Sequence, residues 1–307
     1  MSDNAQENDL ILKTNKLVKI YGKKKVIDEL SLSVKKGAIY ALIGKNGSGK
    51  TTIMRMILGL ANPSGGSVEF LSDNLKGKNR FKVSGVIENP AFYPNMNALD
   101  NMKCQCYSLG VKNATNVSND LLNMLGLGNC GKKKVKNFSL GMKQRLAIAM
   151  ALIDNPEFLL LDEPINGLDP QGIKEIRELI LKLNSERGVT FIISSHILGE
   201  LTKISTDYGV ICNGKLVKEI SKEDLAQDVE PCVRVKVNDV SKAVEVINTE
   251  LNITNYKMDG SEISVFGPVS SSQINEVLVK NDLIIESISS QDGDYEDYFI
   301  NLMGGES

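Results

Sequence analysis

Two hydrophobic periods alternate along the chain. "GAIYALIG" (37–44), "EFLLLDEP" (157–164) and "VTFIISSH" (189–196) are short, nearly continuous apolar runs. Runs of that length, bounded by turn formers or polar residues, predict strands buried on both faces. Between them the apolar positions fall on helical spacing. In "KTTIMRMILGL" Ile53, Met56, Ile57 and Leu60 share one face, and "GMKQRLAIAMALIDN" and "IKEIRELILKLNSERG" also read as helices. Strand–helix alternation of this kind predicts a parallel sheet with crossover helices. "LKTNKLVKIYGKKKVIDELSLSV" reads instead as two or three strands with a Gly-Lys turn, and "NPSGGSVEF" as a turn into a further strand. "GVIENPAFYP" (85–94) is a strand that runs into a carboxylate, Glu88. Residues from about 95 to 150 carry helical apolar spacing, as in "NDLLNMLGLG", and predict a small helical insert.

The pattern changes after about residue 225. "CVRVKV" alternates as a half-buried strand, "SKAVEVINTEL" is helical, and "ITNYKMDGSEISVFG" is a hairpin around Asp259-Gly260. "SSQINEVLVKND" is helical, "LIIESIS" a strand and "YEDYFINLM" a last helix. The succession βαββαβ predicts a small α+β domain of split-βαβ, ferredoxin-like plan over 226–307. Charge marks the same boundary. Residues 226–307 hold 15 acidic and 5 basic residues, a net of −10, so the first 225 residues carry +8 within a total of −2. The basic part suits a phosphate-rich ligand. The first residues, "MSDNAQENDL", are polar and predict a tail over 1–14 with no signal-peptide character. Five cysteines and one histidine argue against a disulfide framework or a zinc site. No apolar run reaches the roughly 18 residues that span a bilayer. A membrane role therefore requires another chain to supply the span.

The candidate chemistry starts at "GKNGSGKT". Gly44, Lys45, Asn46, Gly47, Ser48, Gly49, Lys50 and Thr51 fit G-x-x-x-x-G-K-[ST] between a strand and a helix. The glycines let backbone N–H groups curl inward around an anion at a helix N-terminus. Lys50 adds a charge for the β- and γ-phosphates, the Thr51 hydroxyl reaches Mg²⁺, and Thr52 extends the run. A glycine-rich turn alone could be an ordinary loop; the lysine, the hydroxyl and the flanks point to a nucleoside triphosphate. "FLLLDEP" then delivers Asp162 and Glu163 at the end of a buried strand, a costly arrangement unless a cation neutralises them. Asp162 is expected to hold Mg²⁺, directly or through water. Glu163 is expected to act as general base on the attacking water.

Between these motifs lies "NFSLGMKQR" (137–145), and here the sequence closely resembles the ATP-binding subunits of ABC transporters. Their signature L-S-G-G-Q appears as Phe138-Ser139-Leu140-Gly141-Met142. Ser139 and the second glycine are kept; the first glycine and the glutamine are replaced. "INGLDP" resembles the family's D-loop, with Asp169 as its acidic residue. Tyr21 stands where the family stacks an aromatic ring on adenine, and His196 resembles its switch histidine. The resemblance covers residues 15–225 and implies a P-loop ABC ATPase fold with a mixed-sheet core. It further implies ATP and Mg²⁺ as cofactors, and a nucleotide-sandwich dimer in which Ser139 and Gly141 of one protomer close over ATP on the other. The dimer partner would be this chain or a related ATPase. It also implies a multi-span permease as partner, no nucleic acid, and a cytoplasmic position on the inner face of the cell membrane.

Where the family normally carries glutamine at the metal, this chain has Glu88, which adds a third carboxylate on the metal side. Glutamate there resembles exporters of the bacitracin and lantibiotic resistance group, as do "SLGMKQRLAIAMAL" and the acidic C-terminal region. The expected function is an ATPase that drives removal of antimicrobial peptides. A drug or lipid exporter is the alternative. A soluble ABC protein acting on ribosomes or DNA fits less well, because the chain has one phosphate loop and a short insert. Co-purification with a multi-span membrane protein separates these readings.

Overall fold

A computed structural model describes residues 9–71, 82–88, 90–229, 231–267, 269–291 and 295–304. Strands β1 (Leu10–Tyr21), β2 (Lys24–Leu30), β3 (Ser33–Lys35) and β4 (Ile39–Ile43) lead to helix α1 (Lys50–Ile57), then β5 (Gly65–Phe70) and β6 (Val83–Val86). The helical insert follows as α2 (Ala98–Ser108), α3 (Ala114–Met124) and α4 (Leu140–Ala151). Next come β7 (Phe158–Asp162), α5 (Pro170–Arg187), β8 (Thr190–Ser195), α6 (Leu198–Leu201), β9 (Asp207–Cys212) and β10 (Lys215–Ser221). The last part is α7 (Lys222–Asp228), β11 (Cys232–Val237), α8 (Val240–Leu251), β12 (Tyr256–Asp259), β13 (Glu262–Phe266), α9 (Ser271–Lys280), β14 (Ile285–Gln291) and α10 (Tyr295–Leu302).

The chain divides into two compact units, Met1–Lys222 with Phe299–Ser307, and Glu223–Tyr298. The first unit holds two sheets. One is six-stranded in the order β10-β9-β4-β8-β7-β6, parallel except for the β9–β10 hairpin. Every residue of β4, β7 and β8 is buried, which is why these strands read as continuous apolar runs. The other sheet is antiparallel, with β1 paired to β2, β3 and β5. Helix α1 is packed into the core between them. Ile53, Met54, Met56 and Ile57 join one buried cluster with Leu12 and Leu17 from β1 and Phe158, Leu160 and Ile192 from the parallel sheet. A polar contact also ties the sheets. The buried Tyr40 hydroxyl donates to Glu219 Oε1 at 2.7 Å, which also accepts the Ser33 N–H at 3.1 Å. Burial pushes the Glu219 carboxyl up, and burial together with Glu219's charge pushes the Tyr40 phenol well up.

Two expected boundaries change. The tail predicted over 1–14 is too long. Ile11 and Leu12 are fully buried, and Leu12 pairs with Val34 on one side and Phe70 on the other. A short polar prefix masked the start of the strand. The accessory region predicted over 226–307 also loses its end. Phe299 is fully buried, with its ring centroid 5.6 Å from that of Tyr208 in β9, and so belongs to the first unit. Truncating a buried phenylalanine typically costs about 3–5 kcal/mol. Phe299→Ala is therefore expected to lower the urea midpoint of the first unit by that equivalent; an unchanged midpoint would disprove the packing.

The second unit is an antiparallel sheet in the order β12-β13-β11-β14. Its core sets Val233, Val235 and Val237 of β11 and Ile263 and Val265 of β13 with Ala243 and Ile247 of α8 and Ile274 and Leu278 of α9. The opposite face of β11 carries Arg234 and Lys236, which pair with Glu262 and Glu286. Helix α9 starts on a capping box formed by Ser270 and Gln273.

Candidate active site

The buried strand β4 feeds Gly44–Gly49 into the N-terminus of α1. Glycine is required at two of these positions. A Cβ at Gly44 would stand 2.5 Å from the Ile211 carbonyl oxygen, and Gly49 adopts φ 112 with Ile27 Cδ1 2.4 Å from where a Cβ would be. The β9–β10 turn braces the loop from behind: the Gly214 N–H donates to the Ser48 carbonyl at 3.1 Å, and its own carbonyl accepts the Asp28 N–H at 2.9 Å. Lys45, Asn46 and Gly47 are exposed at the rim, while Thr51 and Thr52 are half-buried in the first turn of α1. Lys50 is buried and donates to the Gly44 carbonyl at 2.6 Å and the Lys45 carbonyl at 3.3 Å. Burial pulls its pKa down, against the opposing pull of Glu163 and Asp162. The buried Ser48 hydroxyl has no partner. A loop with a stranded hydroxyl and a lysine whose hydrogen bonds go to the loop's own carbonyls is fitted to receive anionic oxygens.

Both carboxylates reach this loop from the carboxyl end of β7, and the neighbouring β8 supplies Ser194. Asp162 ends β7; its Oδ2 accepts the Thr51 hydroxyl at 2.7 Å and its Oδ1 the Ser194 hydroxyl at 2.6 Å. The Ser194 Oγ in turn accepts the Glu163 N–H at 2.9 Å. Glu163 turns the chain with φ 50. Its Oε1 lies 4.0 Å from Lys50 Nζ and its Oε2 lies 2.7 Å from His196 Nδ1. With Glu163 ionised, Nδ1 carries the proton and Nε2 is left open on an exposed ring. The one histidine of the chain thus touches the expected general base directly. The Thr51 hydroxyl and the Asp162 carboxylate put hard oxygen donors side by side, the donor type that Mg²⁺ takes.

Glu88 enters the same space differently. It lines a cavity of about 700 Å³ with Asp162, Glu163, Asn166, Lys136 and Lys143. The expected cluster of three carboxylates around one metal is not formed: among the described residues no group of three His, Cys, Asp or Glu stands close enough to hold an ion. Glu88 is instead paired with Arg55, whose guanidinium donates to Glu88 Oε1 at 2.7 Å.

The remaining predicted residues stand apart from the phosphate loop's own contacts. Tyr21 ends β1, half exposed, with Lys19 Nζ 4.9 Å over its ring. Ser139 and Asp169 each cap a helix: Ser139 Oγ accepts the Met142 N–H at the start of α4, and Asp169 Oδ1 accepts the Gly172 N–H at the start of α5. Gly141 is not required by its own chain, since a Cβ there would meet only Leu168 at an ordinary 3.8 Å. Three contributors lie outside the sequence motifs. Ser194, the two-sided bridge between Asp162 and Glu163, was signalled by the polar Ser194-Ser195 pair ending an apolar strand. Gly214 was signalled by an Asn-Gly turn. Arg55 had no distinguishing signal on a helix face.

Similarity to known proteins agrees with this geometry. A family model described as ABC transporter matches residues 27–166. The chain is 40% identical to the bacitracin transport ATP-binding protein BcrA of Bacillus licheniformis, over 96% of this chain and 98% of that protein. It is 46% identical to the lantibiotic transport ATP-binding protein SrtF of Streptococcus pyogenes, over 68% of this chain and 90% of that one. Among solved structures, a dimeric ATP-binding cassette in a post-hydrolysis state with ADP and Pi matches with a TM-score of 0.61 at 25% identity, covering 69% of this chain and 99% of that one.

Proposed function

This chain belongs to the ABC transporter family of ATP-binding proteins and is an ATPase, and from that premise we propose that it drives a separate multi-span permease that removes bacitracin- or lantibiotic-type peptides. One observation carries the choice of cargo. Similarity to a bacitracin transport ATP-binding protein runs through nearly the whole of both chains, the second unit included. No described helix is long and apolar enough to cross a membrane, so in this reading the permease supplies the span and the chain sits on the inner face of the cell membrane.

The residues take the following roles in this proposal. The Gly44–Thr51 loop and Thr52 cradle the phosphates, with Lys50 leaving its backbone carbonyls for the β- and γ-oxygens. Tyr21 stacks on adenine; its exposed ring at the end of β1 supports this. Thr51 and Asp162 would hold Mg²⁺, which would neutralise charge on the phosphates, and Glu88, paired with Arg55 in the same cavity, would face the ion once nucleotide is bound. Glu163 takes a proton from the attacking water, and His196 orients Glu163 through Nδ1 while Nε2 faces the γ-phosphate. Phosphoryl transfer of this kind depends on positioning and charge, which these contacts supply.

Ser139, Gly141 and Asp169 act across a nucleotide-sandwich dimer. Gly141's freedom from packing within its own chain and the exposed start of α4 support that assignment. A strain lacking this protein, under conditions where the gene is normally expressed, is expected to become more sensitive to bacitracin or to a lantibiotic. Unchanged sensitivity to both would overturn the cargo assignment.

A further inference from the structure

Two adjacent parallel strands end alike. In the β6–β7 register Val86 stands opposite Leu161, and Glu88 and Glu163 each follow two residues further along the chain. Both are left-handed, with φ 59 and φ 50, a conformation that disfavours any residue with a Cβ. The two glutamates are held by different partners: Glu163 by His196, with Lys50 beyond, and Glu88 by Arg55. Arg55 lies four residues after Thr51 and thus on the same face of α1. One helix face therefore grips two strand ends, Asp162 through Thr51 and Glu88 through Arg55.

We propose that Arg55 is a positioning residue for Glu88, holding its carboxylate at the cleft and cancelling its charge until nucleotide and metal arrive. The inference rests on the reading of Glu88 as a metal-side residue. Its physical basis is charge. Asp162, Glu163 and Glu88 line one cavity, opposed there by Lys136 and Lys143, and an uncancelled Glu88 would repel an incoming polyphosphate. Both partners are partly exposed, with side chains 39% and 57% accessible, and exposed ion pairs add little stability. Fold stability alone therefore gives little reason for the pair. With nucleotide bound, a cation would offset the Glu88 charge that Arg55 offsets without it.

The test is a double-mutant cycle on the full chain, reading affinity for a fluorescent ATP analogue in EDTA and in Mg²⁺. Arg55→Ala is expected to weaken metal-free binding about fivefold or more, with the deficit shrinking in Mg²⁺. Adding Glu88→Gln should remove the deficit, and Arg55→Lys, which keeps the charge, should retain most of the affinity even if Arg55→Ala folds poorly. Strictly additive effects, or an Arg55→Ala deficit equal with and without Mg²⁺, would overturn the proposal while leaving Glu88's metal-side reading in place. If Glu88→Gln leaves the Mg²⁺ dependence of binding unchanged, that underlying reading fails and the proposal fails with it.

Discussion

Replacing Glu163 by glutamine is expected to lower ATP turnover by about two to four orders of magnitude, the usual worth of a positioned general base, while nucleotide binding is retained. The geometry separates these two effects. In the proposed mechanism Lys50, the glycine loop and Thr51 hold phosphate, and none of them bonds the Glu163 side chain more closely than the 4.0 Å approach to Lys50. Glutamine keeps the length and shape of the side chain, so the left-handed turn and the bonds from the Glu163 N–H to Ser194 survive. What disappears is a group able to accept a proton from water. The negative charge facing the triphosphate falls as well, so affinity should hold or rise. Phosphate release in single turnovers, set beside equilibrium titration with an ATP analogue, checks both halves. Turnover within threefold of wild type would remove Glu163 from the chemistry.

The carboxylate pair at the end of β7 was legible in the sequence. An apolar run ending in two carboxylates has few stable settings, and buried β7 ending in a cation-ready pair is one of them. The phosphate loop was legible for the same reason: its glycines answer to backbone conformation and close approach, which leave a fixed spacing. The arrangement of partners was not. Asp162 uses both oxygens on Thr51 and Ser194, residues 111 and 32 positions away along the chain. Such pairings follow from strand order, β4 next to β8 and β8 next to β7, which hydrophobic periodicity does not encode. Glu88 shows the sharper limit. The strand and its terminal carboxylate could be read, but the expected bare negative charge is half of an ion pair. Its partner, Arg55, looks like any solvent-side residue of an amphipathic helix. Chain ends failed for a different reason. The first residues of β1 and the last turn of α10 are short segments whose burial depends on distant neighbours such as Phe70 and Tyr208.

The second large effect concerns the backbone rather than a charge. Gly49→Ala is expected to abolish measurable nucleotide binding and to lower the melting temperature of the first unit by about 5 °C or more. Two costs combine. At φ 112 a residue with a Cβ is in a region open essentially to glycine, worth about 1–3 kcal/mol. The new methyl also meets Ile27 Cδ1 at 2.4 Å, and Ile27 is fully buried in the core beneath α1, so relief by repacking costs roughly another 1–3 kcal/mol. The chain can escape only by reshaping the turn that aims the N–H groups of Lys50 and Thr51, the groups proposed to bind the phosphates. Binding is lost because the loop leaves its shape, before any contact with phosphate is made. Gly110→Ala is a left-handed glycine substitution without the clash. Gly110 is also left-handed, at φ 73, but a Cβ there meets nothing within 4 Å and the residue lies in the helical insert. Its substitution should cost only the backbone term and leave nucleotide affinity alone. Equal effects of the two substitutions on binding would show that the contact with Ile27 and the shape of the loop do not set affinity.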